Sequence, residues 1–335
     1  MHRDNALAEL VTLRNERRDR EARAAFTYQS RFVKWDERAS VRRKPRRILE
    51  ASSGLLFFPP ELFPVASHPL VASRDETVVR RLLVHRMLNY LDFTSELEEL
   101  AVIPIAGRIS RGRAGLDLPE PMRADAFKIV TDEAWHAQFS YDLVRQVEHR
   151  TGVQNLRTNV PTFASRLDMI RDRLPVGLRG TEGLLFAVVS ETLISSILAD
   201  IPRDERLPRA VRDLVRDHAE DEGRHHVYFR ALLRRFWPAL SDQEQRTLGP
   251  FLPEIILAFL EPDYLHTAQS LIEVGFSPGE TEQIVHESWP ESLVGTTAAG
   301  AARAAVRYFR EVGALDELAT AQAFCAAGLV PAAEI

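Results

Sequence analysis

From Asp75 onward the apolar residues recur at helical spacing, and no run alternates as a half-buried strand would. Along 74–102, Leu82, Leu83, Met87, Tyr90, Leu91, Thr94, Leu97, Glu98 and Ala101 lie near one stripe, which predicts a single long helix ended by Pro104 and Gly107. A Gly/Arg loop over 107–118 follows, and Pro119 and Pro121 introduce a second helix that reaches about Arg150. Beyond 151–161 the pattern predicts a short helix, a turn at 175–180 and a very apolar helix over 182–200. Pro202 and Pro208 separate that helix from another long one ending near Phe236. Further helices are predicted over 241–260, 262–274, 278–287, 297–312 and 316–327.

Upstream, 3–25 is Arg/Glu-rich with Leu7, Leu10 and Leu13, a surface helix, while 51–73 carries Pro59, Pro60, Pro64 and Pro69 and reads as wrapping chain. With no repeat and no low-complexity linker, one all-α domain over 1–335 is expected. Its parts would be an N-terminal helix and arm (1–73), a central set of helices (74–237) and a C-terminal set (238–335).

Several positions that the pattern assigns to buried faces hold groups that do not belong in a core. In 211–229, VRDLVRDHAEDEGRHHVYF, His218, Glu222 and His225 stand at i, i+4 and i+7. At about 100° per residue they share one helical stripe. The second helix places Glu133 and His136 one turn apart beside Ile129, Val130 and Phe139. Glu191 sits mid-run in GLLFAVVSETLISSILADI, and Glu98 falls closer to the first helix's apolar stripe than Glu96 or Glu99. His226, Asp221, Glu220 and Asp132 lie at less favourable angles and read as groups behind the ligands or in solvent.

Charge and composition narrow the meaning of these intrusions. The net charge is −5 with acidic and basic residues interleaved, so nucleic acid is not an expected partner. The basic run at 42–47 leaves open a phosphate- or acidic-carrier-binding patch or a solvated face. One cysteine, Cys325, excludes an internal disulfide framework and a thiolate metal cage, which suits a cytoplasmic protein. No secretory signal is expected at the N-terminus, and no membrane span: Glu191 at mid-bilayer would cost about 3 kcal/mol.

A Glu on each of two helices, with Glu-x-x-His on each of two more, is the ligand logic of a dinuclear iron or manganese four-helix bundle. Two hard cations a few Å apart need several carboxylates to neutralise and bridge them, and imidazoles suit iron. The fold class expected is therefore all-α: a ferritin-like/ribonucleotide-reductase-like di-iron four-helix bundle with additional flanking helices. Glu98, Glu133, His136, Glu191, His218, Glu222 and His225 are the candidate metal ligands and catalytic residues, His218 being one imidazole beyond the ordinary set. The residues alone leave open oxidation at nitrogen, oxidation at carbon (hydroxylation or desaturation), and a ferritin-like iron-binding protein. No Gly-rich dinucleotide fingerprint follows a strand, so electrons must come from outside.

At this point the chain resembles the AurF-type p-aminobenzoate N-oxygenases, di-iron arylamine oxygenases. The resemblance rests on FPVASHPLV at 63–71, Tyr90 eight residues before Glu98, and the segments TDEAWH, SETLISSIL and HAEDEGRH, over about 30–315. It implies a homodimer of specialised (antibiotic) metabolism holding two irons. Such an enzyme uses O2 and electrons from an external reductase or ferredoxin to oxidise a small-molecule primary amine to hydroxylamine, nitroso or nitro product. It implies Glu98 and His136 as terminal ligands of one iron, Glu191, His218 and His225 on the other, and Glu133 and Glu222 bridging. Tyr90 would line the substrate pocket, with Phe93, Thr94 and Ser195 near it. Aminobenzoate-using members resemble one another in a basic residue three positions after the tyrosine, and here that position is Phe93. An uncharged aromatic amine, or an aliphatic amine held by a carrier protein, is the expectation that follows.

Overall fold

A computed structural model describes residues 28–50, 55–157, 160–197 and 201–331, with the side chains of 195–197 outside that description. The expected helix over 3–25 lies outside the described residues. Twelve helices of seven residues or more follow residue 75 among the described residues, which contain no strand. They are α1 (Glu76–Leu97), α2 (Ile103–Ser110), α3 (Glu120–Thr151), α4 (Thr162–Arg173), α5 (Thr181–Ile197), α6 (Arg209–Ala239), α7 (Asp242–Leu248), α8 (Leu252–Leu260), α9 (Tyr264–Glu273), α10 (Pro278–Ser288), α11 (Glu291–Glu311) and α12 (Leu318–Ala326). The all-α expectation holds. No helix among the described residues is long and apolar enough to cross a membrane.

Local chemistry sets most of the boundaries. Asp75 caps α1 by accepting from the Thr77 amide at 2.8 Å. Helix α3 closes on Gly152, whose φ of 72° is the left-handed conformation that costs glycine nothing. Ser241 with Glu244, and Ser277 with Glu280, form reciprocal capping boxes that start α7 and α10.

The helix expected over 241–260 is two, α7 and α8, parted by a tight turn at Gly249–Phe251, and two other boundaries also differ from the pattern. Pro104 does not end the first helix, because Glu98–Val102 form a π-helical turn there. That turn already interrupts the i→i−4 ladder, so the proline's missing N–H falls in the first turn of α2 and costs little. Helix α11 begins at Glu291, ahead of the predicted 297, because Pro290 supplies a ready N-terminus. The arm over 55–73 is not plain wrapping chain either: it forms short turns at Pro60–Leu62, Pro64–Ser67 and Pro69–Ala72.

Helices α1, α3, α6 and α5 form the bundle: α1 packs on α3, α3 on α6, α6 on α5, and the π turn ending α1 reaches both α3 and α5. Helix α5 is apolar all round because α4, α8 and α11 enclose it as well. Its Leu185, Phe186, Ala187, Val188 and Val189 are all buried.

The arm before α1 runs across the outside of α3 and α6 as two single helical turns, Trp35–Arg38 and Ser40–Arg43. Three residues of its basic run pair within the chain. Lys44 pairs with Asp217 and Glu220 at 3.1 and 2.9 Å, Arg46 with Asp142 at 2.7 Å, and Arg47 with Asp217 at 2.5 Å. These three strap the arm to the bundle, Arg46 from an exposed position.

Candidate metal centre

The π turn presents Glu98 to the bundle interior, with Glu99 left exposed and Glu96 half-buried. All seven predicted ligands are buried in the middle of the bundle. Ligand atoms of Glu98, Glu133, His136 and His218 lie within 4.8 Å of one another, as do those of Glu133, His136, Glu222 and His225. Glu191 joins through His225, its Oε2 standing 3.6 Å from Nδ1. Glu133 Oε1 and Oε2 approach His225 Nδ1 and His136 Nδ1 at 2.7 and 2.6 Å, and Glu222 Oε1 stands 3.1 Å from His218 Nε2. His218 Nε2 lies 3.7 Å from Glu98 Oε1. The side chains thus bring His218 to Glu222 and, at longer range, to Glu98.

The two helices α3 and α6 carry the same short pattern, Asp-Glu-x-x-His, at 132–136 and 221–225. Each aspartate serves the other helix's histidine. His136 Nε2–H donates to Asp221 Oδ2 at 3.1 Å, and His225 Nε2–H donates to Asp132 Oδ2 at 3.2 Å. With Nε2 occupied, each ring turns Nδ1 inward, which is how a carboxylate orients a metal-binding imidazole. The predicted position of these aspartates behind the ligands is the one observed. Glu220 faces Lys44 at the surface, and His226 bonds the Tyr308 hydroxyl at 2.7 Å.

Whether these residues fit a metal is tested by their inward atoms. Both oxygens of Glu98, Glu191 and Glu222, with Glu133 Oε1, His218 Nε2 and His225 Nδ1, are buried and make no well-directed hydrogen bond. Buried polar atoms without partners are costly, so nine at one place is a strong departure from an ordinary interior. They are all electron-pair donors crowded together, and cations between them would satisfy every one. The residues fit a dinuclear cation site.

Without cations the site balances itself with protons. Burial raises Glu98 and Glu191 well above the usual carboxylate range, and neighbouring carboxylates push the same way. Burial would depress His136 and His225, but Glu133 and Asp221 raise the first to about 10, and Glu133 and Glu222 raise the second well above its usual value. Burial likewise works against Glu133 and Glu222, yet the charged His225 and its neighbouring imidazoles hold both down. His218 is lowered by burial and by His136.

The predicted substrate residues fare unevenly. The Tyr90 hydroxyl is buried and has no hydrogen-bond partner. Thr94 spends its hydroxyl on the Tyr90 carbonyl at 3.1 Å. Phe93 packs edge-on to Phe163 at 5.7 Å and tilted to Phe259 at 6.1 Å, with Phe186 stacked on Phe163 at 5.2 Å. Ser195's side chain lies outside the described residues. The sequence reading missed Arg86, one turn before Tyr90, whose guanidinium sits over the Phe58 ring at 4.9 Å and bonds Asn89 at 2.8 Å. Its spacing of four from Tyr90 was the available signal.

Fold and site together define a helical-bundle protein with a buried carboxylate–imidazole cluster suited to metal ions. Such sites serve several chemistries, and sequence relatives narrow the choice. Residues 33–313 match the family model described as p-aminobenzoate N-oxygenase AurF, and the chain belongs to that family. It is similar to the 4-aminobenzoate N-oxygenase of Streptomyces thioluteus, with 24% identity over 210 residues. That match spans 62% of this chain and 62% of the relative's length.

Proposed function

We propose that this protein is a non-haem di-iron N-oxygenase acting on a primary aromatic amine, with O2 as co-substrate and electrons from an external reductase or ferredoxin. The observation that carries the proposal is the set of unpartnered ligand atoms on four carboxylates and two imidazoles, with His136 beside them, in a chain of this family. Hard carboxylates with imidazoles and no thiolate favour iron over softer metals. Glu98, His136 and His218 would face one ion, Glu191 and His225 the other, with Glu133 and Glu222 between. Activation of O2 and transfer of one oxygen atom to nitrogen is the chemistry a bound iron pair supplies. The first turnover balances as R–NH2 + O2 + 2e⁻ + 2H⁺ → R–NHOH + H2O, and further turnovers would lead to nitroso and nitro products.

The chain's own part is to place the amine and exclude water. Phe93, Phe163, Phe186 and Phe259 offer flat apolar surface suited to an aromatic ring. Tyr90's free hydroxyl would hydrogen-bond the substrate. Arg86, on the same face one turn further from Glu98, would take a carboxylate in place of the basic residue absent at Phe93. This favours an aminobenzoate-like substrate over a carrier-held aliphatic amine. A homodimer in natural-product metabolism belongs to the same reading.

The test is anaerobic loading with Fe(II), followed by O2, a chemical reductant and a panel of aromatic amines. Two irons per chain and an oxygen gained on nitrogen, labelled from 18O2, are expected. Oxygen gained only on carbon, or iron binding unchanged in Glu191→Ala, would overturn the reading.

A further inference from the structure

The arm at 28–49 does more than cover the bundle. Its contacts fall on the two aspartates that orient the histidines. Trp35 Nε1–H donates to both oxygens of Asp132, at 2.8 and 2.9 Å. The Ser40 amide lies 3.2 Å from each oxygen of Asp221, which also receives Arg224. Between them Phe32 stacks on the His225 ring, centroids 5.9 Å apart and planes 12° from parallel. Two unbroken chains of hydrogen bonds result: Trp35–Asp132–His225 and Ser40–Asp221–His136.

We propose that the Trp35 indole N–H and the Ser40 amide are positioning groups for the metal centre, each clamping one histidine, and through it one ion, by way of the opposite helix's aspartate. The physical reason is rotational. A carboxylate with one donor can swing about its terminal bond, and a ring bonded to it swings as well. A further donor from the arm, joined at Asp221 by Arg224, fixes the plane of the carboxylate and hence the direction of the ring's Nδ1. The arm reaches its hold on α6 through Lys44 and Arg47, so docking of the arm and registration of both histidines are one event. The proposal rests on the two-ion reading given above.

Trp35→Phe keeps the ring and deletes the donor. Ser40→Pro deletes the amide donor at the first position of a helical turn, following Ala39 at φ −59° and ψ 140°, a conformation that suits the residue before proline. Arg46→Gln, which loosens the arm at Asp142 without touching either aspartate, is the control. The readout is release of Fe(II) from anaerobically loaded protein to a chromogenic chelator, preceded by metal analysis.

Wild type should hold two ions. Trp35→Phe should hasten the release of one by about 10- to 100-fold, the range typical of lost outer partners of metal ligands, and leave the other unchanged. In a His225→Ala background, which should retain the ion on the His136 side, Trp35→Phe should be silent while Ser40→Pro still hastens release. Wild type with two ions and variants that release at wild-type rates, or that hasten both ions equally as Arg46→Gln would by loosening the arm, overturns the clamp and leaves the two-ion reading intact. Fewer than two ions in wild type overturns both.

Discussion

Loading the site with metal should expel about four protons. In the metal-free protein burial raises Glu98 and Glu191, and the carboxylates facing His136 and His225 raise those, so all four favour their protonated forms. Glu133 and Glu222 are lowered, which favours their ionised forms, and His218 is lowered, which favours its neutral form. The seven side chains then sum to zero charge. With two divalent cations bound, four carboxylates and three neutral imidazoles also sum to zero. Both states avoid a net buried charge, and the exchange between them is two M²⁺ for four protons. Each proton makes the apparent binding constant tenfold larger per unit of pH. The product of the two constants should therefore rise by about 10⁴ per unit near neutrality, or about 5 kcal/mol. Calorimetric titration of Fe(II) into anaerobic apoprotein, in two buffers of different ionisation enthalpy, counts the protons directly. Glu191→Gln removes one titrating group and should release about three. Release of fewer than two protons by wild type, or an affinity indifferent to pH between 6 and 8, would refute the charge bookkeeping.

Three further outcomes follow from other parts of the fold. His266 is buried and pushed down to about 4, chiefly by burial, against an ordinary value near 6.5. The unfolded chain then binds its proton first, so stability is full above pH 6.5 and about 3 kcal/mol is lost as pH falls towards 4; urea midpoints should track this, and His266→Gln should flatten that window. Arg86→Gln should raise KM for 4-aminobenzoate by about tenfold or more while leaving that for 4-aminobenzamide alone; equal effects on both would remove Arg86 from carboxylate recognition. Trp237 is almost wholly buried between α6 and α11, where it meets Phe309, and Trp237→Ala should cost about 3 to 5 kcal/mol in denaturant titration without altering metal stoichiometry.

The bundle was legible because helix period and burial agree along α1, α3, α5 and α6, so that a carboxylate or imidazole on the buried stripe stands out. Glu191, within an otherwise apolar run, is the clearest case, and Glu98 emerges from its stripe even though the backbone there is a π turn. The turn itself was not legible. Pro104 and Gly107 are helix breakers by propensity, and only packing of the widened turn against α3 and α5 makes them tolerable. The approach of His218 to Glu98 was also hidden, since spacing along α6 says that His218 and Glu222 share a face and nothing about which neighbouring helix they meet.

The arm was the least legible part, for a reason that bears on its role. Trp35 meets Asp132 across 97 positions, and Ser40 meets Asp221 across 181. No local period encodes such contacts, and the basic residues around them resemble a surface patch until their acidic partners on α3 and α6 are seen. Those partners lie on the outer faces of the two helices whose inner faces carry the Asp-Glu-x-x-His patterns. A segment that needs both outer faces to dock can do so only when α3 and α6 already stand at the spacing that brings Asp132 to His225 and Asp221 to His136. Seating of the arm therefore reports correct assembly of the ligand set, and the same hydrogen bonds that seat it hold that set in place.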